Sequence, residues 1–313
     1  MTEKPRILFM GTPDFALPAL DILHKNAFPV IAVVTQPDRP AGRGQKETVP
    51  PVKRLAQERG LPVLQPSRVK DSSFMEKIHS LQPDMIIVAA FGQILPKAII
   101  DLPPLGCLNI HPSLLPKYRG AAPINWSIIQ GETKTGVTIM LMDEGMDSGD
   151  ILAQEEIPLE TTDIYGSLHD RLAKIGASLL LQTVLQVLTG SIQRQPQDTS
   201  AVTYAPRLTR ETGRIQWQDR ASRIVNLIRG LSPSPAAYTF LDGQMLKIFS
   251  AEAKPGAVHL PAGFAGLPCF DGLPVTSSDG FVILKEVQLA GKKRMAAKDF
   301  LRGHPLKPDT VFG

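Results

Sequence analysis

The sequence predicts an α/β protein: a doubly wound, mostly parallel, Rossmann-like sheet, then a small C-terminal β-barrel of OB-like type. Three observations carry this. Apolar, β-branched runs alternate with helical periods over residues 1–190. The stretch 191–207 is polar and Pro-bearing, has no strong period, and reads as a linker. From 208 to 313 the pattern changes to short alternating runs punctuated by Gly and Pro, as expected of a small antiparallel barrel.

The first unit is Arg6 to Met10, an apolar run, then the tight turn Gly11-Thr12-Pro13. A helix follows from Asp14 to Lys25, with Phe15, Leu17, Leu20, Ile22 and Leu23 as its apolar positions. No G-x-G-x-x-G accompanies the turn, so a dinucleotide fingerprint is absent. Val30 to Thr35 is the second strand. Gln36 to Lys46 is a long, basic, Pro- and Gly-rich loop, whose Arg and Lys face solvent or a ligand.

A helix at Val52–Arg59 stops at Gly60, Val63-Leu64 is a short strand, and Phe74–Leu81 is a further helix. Met85 to Ala90 is continuously apolar, as a central parallel strand is. Phe91 to Pro96 leaves its carboxyl end. That loop is apolar, which suits either core filling or a flat wall for a ring-bearing ligand. Cys107 to Ile110 supplies the next strand and Ile124–Gln130 a short helix. Gly136–Met142 is a strand, Asp143–Asp150 an acidic loop, Ile151–Ile157 an edge strand, and Thr162–Leu188 a long amphipathic helix. In the C-terminal part, strands are expected at 237–240, 246–249, 281–284 and 286–289, with helices at 221–229 and 296–301.

Composition narrows the function classes. The 313 residues are 43% hydrophobic and 20% charged, as in an ordinary globular protein. No uninterrupted apolar run approaches the roughly 20 residues that span a bilayer. Met1-Thr2-Glu3-Lys4 leads straight into a strand, without signal-peptide character. Cys107 and Cys269 sit in apolar surroundings and read as buried thiols, which fits a reducing compartment. The six histidines make no metal-ligand spacing, so no metal is expected. A cytoplasmic monomer without a membrane partner is the expectation. The net charge of +4 is uneven: residues 1–207 hold 20 Lys and Arg against 21 Asp and Glu, and residues 208–313 hold 14 against 9. A basic C-terminal third suits either a polyanionic partner such as nucleic acid or a plain basic surface.

The chemistry concentrates at the strand ending in Asn109-Ile110-His111-Pro112. Residues two apart in an extended chain share a face, so Asn109 and His111 point the same way. Pro112 keeps His111 out of helical geometry, and an irregular loop follows. A site beyond the carboxyl edge of a parallel sheet is built this way. Asp147, on a Gly-flanked loop after another strand, can reach the same crevice and would favour a charged imidazole. An Asn amide beside an imidazolium is an oxyanion-stabilising pair. No Ser or Cys lies in a G-x-S-x-G elbow, which suggests direct acyl transfer between two bound substrates.

His111-Pro112-Ser113-Leu114-Leu115-Pro116-Lys117-Tyr118-Arg119-Gly120, with Asp147-Ser148-Gly149, resembles the folate-dependent formyltransferase superfamily. Gly11 to Ala16, the Pro37–Gly44 loop and the basic C-terminal domain are similar to its tRNA-directed branch. The resemblance covers nearly the whole chain, most sharply before residue 160. It implies 10-formyltetrahydrofolate as formyl donor and the α-amino group of initiator methionyl-tRNA as acceptor. It implies catalytic roles for Asn109, His111 and Asp147. The folate is expected near Ser113, Leu114, Leu115 and Pro116, against Phe91, Gln93, Ile94, Leu95, Met142 and Asp143. Arg43, Lys46 and Arg207 are expected to meet tRNA, within a basic domain at 208–313 that holds its phosphates. Members with glycinamide ribonucleotide or nucleotide-sugar acceptors would share the triplet. A non-catalytic folate- or tRNA-binding module is the alternative of another class.

Overall fold

A computed structural model describes residues 4–41, 46–267 and 271–313. The chain forms two compact units, and they are not sequential. One comprises Met1–Gly120, Thr135–Ile157 and His169–Tyr204; the other comprises Ala121–Lys134, Pro158–Leu168 and Ala205–Gly313.

The first unit is built on a seven-stranded sheet. Its strands in chain order are β1 (Ile7–Gly11), β2 (Val30–Val34), β3 (Val63–Leu64), β4 (Met85–Ala89), β5 (Cys107–His111), β6 (Lys134–Leu141) and β7 (Ile151–Pro158). Their order across the sheet is β7-β6-β5-β4-β1-β2-β3. The pairs β1–β2, β1–β4, β2–β3 and β4–β5 are parallel, whereas β5–β6 is antiparallel. Every residue of β1 and β4 is buried, which explains why these strands read as continuous apolar runs. The chain steps outward from β1 to β2 and β3, then returns to build β4 and β5 on the other side. The carboxyl ends of β1 and β4 therefore flank a topological switch point, where open α/β sheets bind ligands.

Helices α1 (Leu17–Lys25), α2 (Pro51–Glu58), α3 (Ser72–Leu81), α4 (Lys97–Ile100) and most of α6 (Tyr165–Leu188) belong to this unit; α5 (Pro123–Ile129) does not. By length and composition α6 could cross a membrane. Its Leu172, Leu179, Leu180 and Val184 are buried instead. A Cβ at Gly176 would stand 2.8 Å from Ile110 and 3.3 Å from Val137, so α6 lies directly on the sheet. Ile110 thus faces α6, and its neighbours Asn109 and His111 face away. The segment expected as a plain loop after β2 contains a small antiparallel hairpin, Arg39–Ala41 with Lys46–Thr48.

The second unit is an antiparallel sheet of β8 (Ala237–Leu241), β9 (Gln244–Pro255), β10 (Leu273–Thr276), β11 (Gly280–Leu289) and β12 (Met295–Ala296). Its order is β8-β9-β11-β10, with β12 on β11. The two strands expected at 281–284 and 286–289 are one, β11, and β10 is additional. Helices α7 (Ala221–Leu231) and α8 (Ala297–Gly303) complete a core that includes Trp217, Ile224, Ile228, Leu246, Val282, Phe300 and Phe312. Trp217 Nε1 donates to Thr239 Oγ1 at 3.0 Å, satisfying the one polar atom of a buried indole. Helix α5 packs in this unit: Asn125 Nδ2 donates to the Gly230 carbonyl at 2.7 Å.

Candidate active site

The site is assembled at the carboxyl end of β5. Asn109 pairs with Val88 of β4 and Met140 of β6, and His111 pairs with Thr138 of β6. His111 is buried, and its Nε2 lies 3.0 Å from the Tyr118 carbonyl oxygen. A carbonyl only accepts, so Nε2 carries a proton and donates it. Nδ1 is then the nitrogen facing Asp147, whose Oδ2 lies 3.7 Å away, beyond hydrogen-bond length.

Asp147 reaches this position through a left-handed backbone, φ +50°. That region is sparsely used outside glycine, but Asp tolerates it better than most residues. Its Oδ2 also accepts the Gly120 N–H at 2.8 Å. Gly120 stands two residues after Tyr118, itself at φ +62°. Tyr118 and Gly120 therefore hold the histidine and the aspartate respectively.

The intervening loop is pinned from below. Thr138 is completely buried, and its Oγ1 donates to the Ser113 carbonyl at 2.7 Å. The same oxygen accepts Leu115 N–H at 3.1 Å and Gln154 Nε2 at 2.9 Å. Gln154 Nε2 also donates to the Leu115 carbonyl at 2.8 Å. Ser113 Oγ is turned inward, donating to the Lys117 carbonyl at 2.7 Å. The Leu115–Pro116 peptide is cis. Leu115 packs with Met140, Ile151 and Met142, while Leu114 lies over Gly136.

On the other side of β5, loops after β1, β2 and β4 are tied together. Thr12 Oγ1 donates to the Phe91 carbonyl at 2.9 Å, and Gln36 Nε2 donates to it at 3.3 Å. Phe91 and Leu95 are buried in the core with Leu8, Met10, Val88 and Ile99. Gln93 Oε1 accepts Val69 N–H at 3.0 Å, and Ile94 is 83% exposed. Met142 Sδ lies 3.6 Å from Cys107 Sγ. Burial pushes the Cys107 thiol up to about 12, so it stays neutral and offers no nucleophile. Asp143 Oδ1 accepts Gly145 N–H and Ser148 Oγ within its own loop.

The structure thus brings His111 and Asp147 together and places Asn109 on their face. Of the residues expected to meet tRNA, Arg207 is exposed on the second unit. Lys46 lies in the small hairpin, and Arg43, like Cys269, is outside the described residues. Among the described residues no group of three or more His, Cys, Asp and Glu is placed to hold a metal ion. Sequence reasoning missed Gln197, whose Nε2 donates to the carbonyls of Asp147 and Gly149 at 2.9 and 2.7 Å. Its Oε1 accepts Arg119 Nε and Nη2 at 3.1 and 2.7 Å. A lone Gln in a polar stretch emits no periodic signal.

Comparison with known proteins assigns the family. Residues 5–184 match the Formyl transferase family and residues 207–305 match the Formyl transferase C-terminal domain. The methionyl-tRNA formyltransferase of Syntrophus aciditrophicus is 55% identical over 99% of both chains. Those of Geotalea uraniireducens and Bacillus licheniformis are 49% and 48% identical, each over 98% of both chains. Among solved structures, the sugar 3N-formyltransferase WlaRD, crystallised with dTDP and 5-N-formyl-THF, superposes with a TM-score of 0.68 at 20% identity. The match covers 93% of this chain and all of that one. HypX from Aquifex aeolicus in complex with tetrahydrofolic acid gives 0.62 at 18% identity, over 96% of this chain and 47% of that one. At these identities the two structures speak for the fold. The full-length relatives and both family matches, on a chain that gathers Asn109, His111 and Asp147 at one sheet edge, place it in the methionyl-tRNA formyltransferase family.

Proposed function

We propose that this enzyme transfers the formyl group of 10-formyltetrahydrofolate to the α-amino group of initiator methionyl-tRNA, directly and through a tetrahedral intermediate. The observation that carries the reading is the facing pair His111 and Asp147, 3.7 Å apart at the carboxyl end of β5, with Asn109 on the same face. The neutral methionyl amine attacks the formyl carbon and the carbonyl electrons move onto oxygen. The Asn109 amide and a protonated His111 Nδ1 stabilise that oxyanion. Asp147 sustains the charge on His111 and receives the amine proton through water. The intermediate collapses as its bond to N10 breaks, and N10 takes up a proton, leaving tetrahydrofolate and the formylated amine. No covalent bond to the enzyme is needed.

On this reading the folate lies along Ser113–Pro116, between the Phe91–Leu95 loop and Met142–Asp143. Phe91 and Leu95 shape that wall from beneath, because they are buried, while Ile94 stands exposed. Folate ligands in the WlaRD and HypX structures support a folate donor for this fold. The names of the full-length relatives support tRNA as acceptor. So does the second unit, where Arg207, Lys292 and Lys293 are exposed. Such cations bind the phosphate backbone for affinity and position. The protein works as a cytoplasmic monomer on this account.

The test offers initiator methionyl-tRNA, glycinamide ribonucleotide and an amino-sugar nucleotide together, with labelled 10-formyltetrahydrofolate. Label on the tRNA alone is expected. Label on either small acceptor would overturn the acceptor assignment, and label on none would favour a binding module.

A further inference from the structure

We propose that Gln197 is a positioning residue for the transfer step, setting the Asp147 loop against His111 through a half-buried bridge to Arg119. The inference rests on the reading that Asp147 acts on His111.

The geometry needs a side chain that donates and accepts at once. The Gln197 amide nitrogen donates to two carbonyls that bracket the aspartate's turn, those of Asp147 and Gly149. Its oxygen accepts two N–H groups from the Arg119 guanidinium. Arg119 is only 8% exposed, so its charged head has left bulk water and depends on such partners. It also sits between Tyr118, which holds His111 Nε2, and Gly120, which holds Asp147 Oδ2. The Tyr118–Gly120 strip is fixed in turn by Thr203. Thr203 Oγ1 accepts Tyr118 N–H and its carbonyl accepts Arg119 N–H, both at 2.9 Å. The His111–Asp147 separation is thereby defined by Gln197 on the aspartate side and the Arg119 strip on the histidine side. Because Gln197 is neutral, it acts through geometry and adds no charge to the site.

Two substitutions separate positioning from packing. Gln197→Met keeps the volume and removes every hydrogen bond. Gln197→Glu keeps the Arg119 contact but turns an oxygen toward two carbonyls. Both are expected to lower kcat about tenfold with the KM for 10-formyltetrahydrofolate within about twofold of wild type, a modest displacement of the catalytic geometry. In an Asp147→Asn background the Gln197→Met effect should shrink to less than about twofold, since groups that act as one unit are not additive. Thermal unfolding is recorded for each variant. Should Gln197→Met not fold, Gln197→Glu carries the same cycle; loss of folding in both would make Gln197 architectural and overturn the proposal. Wild-type kcat in both variants, or an undiminished tenfold loss in the Asp147→Asn background, would overturn it as well. A wild-type kcat for Asp147→Asn alone would instead remove the catalytic role of Asp147, a failure visible before any Gln197 variant is made.

Discussion

Replacing Gly149 with alanine puts a methyl group where the strand before the Asp147 loop leaves no room. An ideal Cβ at that position stands 1.8 Å from the Leu141 carbonyl oxygen, and Cβ atoms do not approach closer than 3.0 Å. The backbone must therefore give by at least 1.2 Å. The obstacle is a main-chain oxygen at the end of β6, and the N–H of the same peptide group, that of Met142, donates to the Cys107 carbonyl at 2.7 Å, so it cannot swing aside. The displacement falls on residues 147–149, which carry Asp147 and the Gly149 carbonyl that Gln197 binds. Overpacking of this kind costs about 1–3 kcal/mol. A catalytic group misplaced by about 1 Å costs on the order of a hundredfold in rate. Gly149→Ala should thus lower kcat about a hundredfold and lower Tm by about 2–4 °C per kcal/mol lost. Gly145→Ala is the control. There the nearest atom, at 2.0 Å, is Ser148 Oγ, the end of a side chain that can rotate away. It should cost kcat less than about fivefold. Steady-state formylation and differential scanning calorimetry read both. Full activity in Gly149→Ala, or equal losses in the two variants, would refute the reasoning.

Further predictions come from the same contacts. Thr138→Val removes the donor to Ser113 and the acceptor for Leu115 and Gln154, all at a completely buried position. It should cost about 2–4 kcal/mol in urea unfolding, since stranded buried polar groups carry their full desolvation penalty. A loss below about 0.5 kcal/mol would contradict the hub role. Asp38, at the start of the loop after β2, has its carboxyl held below the ordinary value by hydrogen bonds from Lys53 first and Gln65 second. A depressed carboxylate contributes stability above its unfolded pKa of about 3.9 and loses it as pH falls through the folded value. The stability gap between wild type and Asp38→Asn should therefore be open at pH 6 and close below about pH 4; a gap that widened on acidification would reverse the sign. Finally, the KM for tRNA should rise steeply between roughly 50 and 200 mM salt while that for folate changes little, as phosphate contacts release counterions. Parallel responses would remove the basic unit from tRNA binding.

Much of this architecture was legible in residues 1–111. Ile7–Met10 and Met85–Ala89 are buried on both faces, as is Val30–Val34 apart from a half-buried Ile31, and that condition produces uninterrupted apolar runs. The alternation Asn109-Ile110-His111 correctly separates the face under α6 from the face of the site, because strand periodicity is 2. Partnerships distant in sequence were not legible. Helix α5 carries no local mark of its bond between Asn125 and Gly230, 105 residues away, so its place in the second unit emerges only from the fold. Strand β11 runs through Lys285 and Glu286 without a break, because both are half-buried rather than turned into a loop; the charged pair reads as an interruption in the sequence. Gln197 and Arg119 act through main-chain carbonyls and each other, which leaves no pattern in either neighbourhood.

The most direct test of the central claim is the single-turnover rate of formyl transfer to initiator methionyl-tRNA by His111→Ala and Asp147→Asn, with 10-formyltetrahydrofolate affinity measured in parallel. The account predicts a loss of about a hundredfold or more in the chemical step for each variant, the scale of losing an oxyanion-stabilising group, with folate affinity retained. A near-wild-type rate in His111→Ala, or a loss explained wholly by weakened folate binding, would contradict it.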